Sequence, residues 1–209
     1  MGNSLFHNYI DILYKALKTV DLNKLEEIKF EITKRIDGNG EIHIIGNGGS
    51  CANAHHIVGD YLKSFTFLGV RLNVNCIADN SCYLTAASND LDFQEVYSVL
   101  VEKIINRGDL LVYLSGSGNS MNLIKCAIKA KSLGIKQISV TGFNGGKLKN
   151  LVDIPIHIKT FDMEIAEDCQ INIFHNLKQR LMEKVSKKEG KKNSNMKKYD
   201  KRTIEDLIA

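Results

Sequence analysis

Two short segments of this 209-residue chain have the composition of anion-binding turns. Gly46-Asn47-Gly48-Gly49-Ser50 follows the apolar run Glu41–Gly46 (EIHIIG) and leads into a helical pattern. Ser115-Gly116-Ser117-Gly118-Asn119-Ser120 follows DLLVYL (Asp109–Leu114) and again opens a helix. Glycines leave backbone N–H groups open to a ligand, and a helix N-terminus adds positive potential. Serine hydroxyls can then hydrogen-bond the anion. Three serines and no lysine in the second loop suit a phosphomonoester better than a triphosphate. GxxxxGK[ST] is absent. GNGGS also lacks the third glycine of the dinucleotide fingerprint, and no acidic residue ends the second strand. Either loop alone reads equally well as a tight strand-to-helix turn; the repetition of the context favours a ligand.

A second constellation is titratable. His56 and Asp60 are four apart, on one face of the helix that follows GNGGS. Glu167 and His175 are eight apart, a little over two turns, on the last long helix. Two imidazoles and two carboxylates make a plausible zinc set. A His–Asp pair at this spacing is also a common solvated pair. Asp168, seven from His175, competes with Glu167. His55 and His43 read equally as packing residues, so spacing leaves both readings open.

These residues need elements to position them. Leu5, Ile10, Leu13, Leu17 and Val20 have helical spacing over 4–20. Asp21 reads as the N-cap of a second helix over 21–36, closed by Gly38 and Gly40. Apolar runs at 41–46, 72–77, 109–114, 137–141 and 154–158 then alternate with helical patterns near 51–64, 80–106 (broken at Asn89), 119–133, 145–151 and 163–186. Runs such as IHII and LLVYL do not alternate polar with apolar, as expected of strands buried on both faces of a parallel sheet. The alternation predicts an α/β three-layer sandwich with right-handed crossovers. One domain over 1–186 and a tail over 187–209 follow from the pattern.

Composition excludes other classes. Hydrophobic residues are 44% and charged residues 25%, which is ordinary globular usage and argues against disorder. The net charge of +4 is local: residues 184–202 hold nine Lys/Arg against Glu189 and Asp200, so the rest of the chain is acidic. A basic nucleic-acid-binding domain is therefore not indicated. The tail itself reads as a solvated charge run with no amphipathic membrane face. Cys51, Cys76, Cys82, Cys126 and Cys169 are odd in number and form no CxxC, which predicts reduced thiols and a cytoplasmic setting. The N-terminus, MGNSLFHNYIDIL, is amphipathic, unlike a signal peptide.

In combination, GNGGSCANAHH (46–56), ASNDLDFQEVYS (87–98), LSGSGNS (114–120) and EDCQINIFH (167–175) resemble the sugar isomerase (SIS) fold family, of the phosphoheptose isomerase type, over roughly residues 4–185. The resemblance implies a five-stranded parallel, flavodoxin-like sheet, a homotetramer and conversion of sedoheptulose 7-phosphate to D-glycero-D-manno-heptose 7-phosphate for surface polysaccharide. It implies substrate contacts from Asn47, Gly48, Gly49, Ser50, Asn89, Asp90, Ser115, Gly116, Ser117, Asn119, Ser120, Glu164 and Glu167. It implies catalysis by His175 and Asp60, and one zinc per subunit on His56, Asp60, Glu167 and His175. Asp60 stands where the family has Glu, Glu167 where it has Gln, and Gly116 where Thr is usual. A second anionic ligand would hold zinc more tightly but weaken its pull on a carbonyl. These departures keep two alternatives open: an isomerase of another sugar phosphate, and a non-catalytic SIS protein that binds a phosphosugar or the replication initiator.

Overall fold

The computed structural model describes residues 2–38 and 40–188. Strands β1 (Ile42–Gly46), β2 (Val74–Cys76), β3 (Leu110–Ser115), β4 (Lys136–Thr141) and β5 (Ile154–His157) form one sheet in the order β2-β1-β3-β4-β5. Every neighbouring pair is parallel. The three central strands are almost wholly buried, which is why their sequences show no alternation. The single proline, Pro155, lies on the edge strand β5, where a missing N–H costs least.

Helices α1 (Gly2–Leu17), α2 (Leu22–Asp37), α3 (Gly48–Phe67) and α8 (Met163–Lys188) pack together on one face of the sheet. Helices α4 (Ser81–Asp90), α5 (Val96–Ile104), α6 (Met121–Ser132) and α7 (Leu148–Leu151) form the second group. The three-layer, flavodoxin-like expectation is met. Strand order reverses between β1 and β3, and ligands of such sheets bind beyond the carboxyl ends of the strands at that switch point. The register Gly46↔Leu114 sets the ends of β1 and β3 side by side, so both Gly/Ser loops leave the sheet there.

Local expectations are met at several boundaries. Asp21 caps α2, its carboxylate accepting from the Asn23 N–H at 2.9 Å. Asn47, extended at φ −117°, is the N-cap position of α3, so that helix starts at Gly48 rather than Cys51. Two expectations change. The break in 80–106 falls after Asp90, one residue past Asn89, and Asp92 makes the turn: its Oδ1 accepts the Gln94 N–H at 2.6 Å and its carbonyl accepts the Glu95 N–H. Strand β2 has only three residues instead of the expected 72–77, since as an edge strand it pairs with β1 alone. Helix α8 continues to Lys188, two residues past the expected domain end, and residues 189–209 of the basic tail lie outside the described residues. All five cysteines are free. Among the described residues no helix is long and apolar enough to cross a membrane.

The base of the sheet carries a buried polar knot. Asp109 accepts the Glu41 N–H at 2.8 Å and the Asn106 N–H at 2.7 Å, aligning the starts of β1 and β3. His43, 4% exposed inside β1, places Nε2 3.6 Å from Asp109 and 3.7 Å from Glu41, with no hydrogen-bond partner. Burial holds its pKa below the usual value, outweighing the two nearby carboxylates. Below about pH 6.5 the unfolded chain therefore takes up a proton that the folded chain refuses. Stability contributed by neutral His43 is full above that pH and is lost as pH falls. Urea midpoints measured between pH 7 and 5 should fall more steeply for the parent than for His43→Gln; parallel profiles would show that His43 is not the group responsible.

Candidate functional site

The first loop is held from two sides. Toward the second loop, Asn47 and Asn122 exchange amide hydrogen bonds, Nδ2 of each donating to Oδ1 of the other at 2.9 and 3.0 Å. This pair ties the N-terminus of α3 to the first turn of α6. Tyr97, buried, sets its hydroxyl 3.4 Å from Asn47 Oδ1. Toward α8, the Ser50 hydroxyl accepts from Gln170 Nε2 at 3.2 Å, and the Ser50 N–H favours the charged form of the Glu167 carboxylate. The same carboxylate lies over Gly49, where a Cβ would displace it. Burial, then the charge of Glu164, pushes the Glu167 carboxyl above its ordinary pKa, with the Ser50 N–H opposing.

The second loop is braced by its own serines. Ser115 Oγ accepts the Gly118 N–H at 3.0 Å, and Ser117 Oγ accepts the Asn119 N–H at 3.1 Å. Asn119 Oδ1 accepts from Lys147 N–H at 3.1 Å, docking the loop on the turn before α7. Ser120, the N-cap residue of α6, makes no side-chain cap bond, which leaves its hydroxyl for another acceptor. Gly116 is buried, and a Cβ there would overlap Met163 Sδ, so Met163 fills the space beside the loop.

The titratable residues lie two turns along α3, about 9 Å from Ser50. Helices α3 and α8 run in the same direction, since their paired residues rise in number together. Asn53 Nδ2 donates to the Glu167 carbonyl at 2.9 Å and to Gln170 Oε1 at 3.0 Å. His56 Nε2 lies 2.9 Å from His175 Nε2. Asp60 Oδ2 lies 3.6 Å from His175 Nε2 and is ion-paired with Lys178. Tyr61, buried, donates to the Phe174 carbonyl at 3.0 Å. The stripe 50, 53, 56/57, 60/61 on α3 thus meets 167, 170, 174/175, 178 on α8 at helical spacing.

One ligand atom each from His56, Asp60 and His175 converge within 4.8 Å, a donor set of two imidazole nitrogens and a carboxylate oxygen that suits zinc in type. Glu167 is not part of that group, in contrast to the four-ligand expectation. Eight helical residues span about 12 Å, and here the Glu167 carboxylate is engaged at Gly49 and Ser50 instead. His175 is held below the usual imidazole pKa, first by burial, with Lys178 and His56 adding and Asp60 opposing. It is therefore a neutral acceptor at pH 7.

Not every expected residue joins these groups. Asn89 and Asp90 end α4 exposed, with Asn89 Nδ2 donating to Asp90 Oδ1 at 2.9 Å and no bond to either loop. Glu164 is exposed in the first turn of α8 and acts on Glu167 through its charge. Residues absent from the sequence reading are Asn122, Asn53, Gln170 and Lys178. Lys178 was accessible from spacing, being three residues beyond His175 on the same face. Gln170 and Asn122 are buried amides inside otherwise apolar helical stretches, a weaker signal.

The amide pair yields a direct measurement. Asn122→Ala should cost about 2 kcal/mol, read as a lower denaturation midpoint. A double-mutant cycle with Asn47→Ala should show coupling of about 1 kcal/mol or more; strictly additive losses would mean that the loops are held independently.

Comparison with known proteins gives matches in accord with this geometry. Residues 6–142 match the family model described as the SIS domain. A "Probable phosphoheptose isomerase" of Thermoplasma volcanium is 33% identical over 168 residues, covering 80% of this chain and 86% of the relative. A phosphoheptose isomerase of Helicobacter pylori is 31% identical over 167 residues, with the same coverage. Among solved structures, a phosphoheptose isomerase from Neisseria gonorrhoeae superposes with a TM-score of 0.77 at 25% identity, covering 86% of this chain and 95% of that one. The Francisella tularensis enzyme of the same name has TM-score 0.77 at 22% identity and supports the fold alone.

Proposed function

For a chain that belongs to the SIS-domain family and is of the phosphoheptose isomerase type, we propose conversion of sedoheptulose 7-phosphate to D-glycero-D-manno-heptose 7-phosphate through an enediolate, feeding heptose biosynthesis. The observation that carries the reading is the pairing of two Gly/Ser loops at the β1/β3 switch point with a His–His–Asp cluster on the adjoining α3/α8 seam.

The loop 115–120 receives the phosphate. Backbone N–H groups at the start of α6 and the hydroxyls of Ser117 and Ser120 supply donors without a competing cation. Isomerisation moves a proton between adjacent carbons and so needs a group that alternates between base and acid. His175, neutral at pH 7, takes that proton at Nε2. Asp60, held by Lys178, orients the imidazole and balances the imidazolium formed. His56, 2.9 Å away, shares the proton. Glu167, a carboxyl with raised pKa beside Ser50, bonds substrate hydroxyls, as do Asn47 and Glu164. Were zinc held by His56, Asp60 and His175, it would supply a Lewis acid for the developing oxyanion, and the proton would then pass to the Asp60 carboxylate rather than to His175 Nε2.

Two further parts of the proposal concern assembly and extent. The chain acts in the cytoplasm as a homotetramer, a reading supported by the exposed apolar residues Leu5, Phe6 and Ile10 of α1. The tail is separate from the catalytic domain, so deletion of residues 189–209 should leave turnover within about twofold of the parent. A large loss would assign the tail to the site or the assembly.

The decisive assay incubates the protein with a panel of ketose phosphates in deuterated water. NMR should show deuterium entering next to the carbonyl of sedoheptulose 7-phosphate and, with His175→Ala, a loss of at least a hundredfold with the fold retained. Exchange only with a different sugar would move the reaction to that substrate. No exchange with any sugar would leave a phosphosugar binder. Metal content and rate are then compared before and after chelation: an unchanged rate overturns the zinc part while leaving His175 as the base.

A further inference from the structure

One residue past Ser50, a second cluster of metal-type donors lies about 100° around α3 from the His56 face. Cys51 Sγ and Cys76 Sγ each lie 3.6 Å from His55 Nδ1, and all three atoms fall within 4.8 Å of one another. A tetrahedral ion with metal–sulfur bonds of about 2.3 Å and metal–nitrogen bonds of about 2.0–2.1 Å has a sulfur-to-nitrogen edge of about 3.6 Å. The outer nitrogen of the same ring, Nε2, lies 3.3 Å from Asp79 Oδ1. A carboxylate behind a ligating imidazole fixes its tautomer and raises its basicity. Cys76 and Asp79 also border a cavity of about 410 Å³, which offers an approach for an ion.

We propose that Cys51, His55 and Cys76 form a binding site for a thiophilic metal ion of the zinc class, backed by Asp79 and completed by solvent. Thiolate and imidazole ligands select such ions over magnesium or calcium. Binding replaces the two thiol protons, which pass to solvent. The ring proton resides on Nε2, facing Asp79. In the metal-free chain the alternative partner of Nδ1 is the Cys51 carbonyl oxygen at 2.9 Å, so the ion displaces a local helix contact rather than a long-range one. The three donors come from two elements, α3 and the end of β2. An ion there ties the first turn of α3, which carries Ser50, to the strand end that leads into α4. Occupancy of this site thereby stiffens the loop already held by Asn122 and Gln170. The inference does not depend on which sugar phosphate the protein isomerises.

The test uses the full reduced chain under anaerobic conditions, titrated with Co²⁺ as the probe. One equivalent should produce near-ultraviolet thiolate-to-cobalt absorption together with visible bands of a tetrahedral ion, and should raise the melting temperature. Cys51→Ser and Cys76→Ser should abolish the thiolate absorption, and His55→Gln, at an exposed position, should weaken binding at least a hundredfold. Asp79→Asn should weaken it 10–100-fold. His175→Ala and Cys82→Ser should retain the absorption, separating this site from the His56–Asp60–His175 group and from the exposed thiol. Absence of thiolate absorption in the parent would overturn the proposal, as would absorption that survives Cys51→Ser or vanishes in His175→Ala. Circular dichroism of each variant distinguishes loss of ligand from loss of fold, and His55→Gln supplies the answer should a cysteine variant unfold.

Discussion

Helices α3 and α8 lie side by side in the same direction, and the chemistry of the molecule depends on that seam. Ser50, Asn53, His56 and Asp60, spaced three or four apart on α3, meet Gln170, His175 and Lys178 on one face of α8. Near the loop the seam is an amide and hydroxyl network through Ser50, Asn53 and Gln170. Two turns on, it becomes an imidazole pair closed by an ion pair. A rotation of either helix by one residue, about 100°, would move Gln170 off Ser50 and His175 off His56 together. Positioning of the Ser50 loop and of His175 is thus one mechanical problem, solved by packing rather than by local loop rigidity.

Charge placement along the seam follows from the same geometry. Glu167 lies where α3 begins, and a carboxylate beside a helix N-terminus is favoured by the exposed N–H groups and the helix dipole. Asp60, further along, is compensated by Lys178 instead. The two acids therefore serve different ends of the seam. The Ser50 N–H opposes the burial and the Glu164 charge that raise the Glu167 carboxyl pKa. Met163 against Gly116 gives the second loop an apolar wall.

The layered fold was legible because parallel strands buried on both faces cannot alternate, and because Asp21 and the Gly-rich turns mark where elements begin. The loops were legible because glycine and serine concentrate where backbone approaches a ligand. The positions of Asn89 and Asp90 were less so: their type suggested a site, yet both end exposed on α4, because Asp92 rather than Asn89 makes the following turn. The bridging amides Asn122 and Gln170 were missed because a lone polar residue in an apolar helix has no pattern of its own, and its partner lies 75 or 120 residues away.

By itself the sequence determined the periodicities, and with them the strand–helix alternation, the two Gly/Ser loops and the faces on which His56, Asp60, Glu167 and His175 lie. Only the tertiary structure decided which of those faces meet. Helical spacing places residues around an axis but says nothing of how far along that axis a neighbouring chain segment will lie. Glu167 and His175 share a face and yet reach different partners, because α3 presents its N-terminal turn to one and its third turn to the other. The same limit hid Cys51, His55 and Cys76, whose proximity arises only when β2 is laid beside β1.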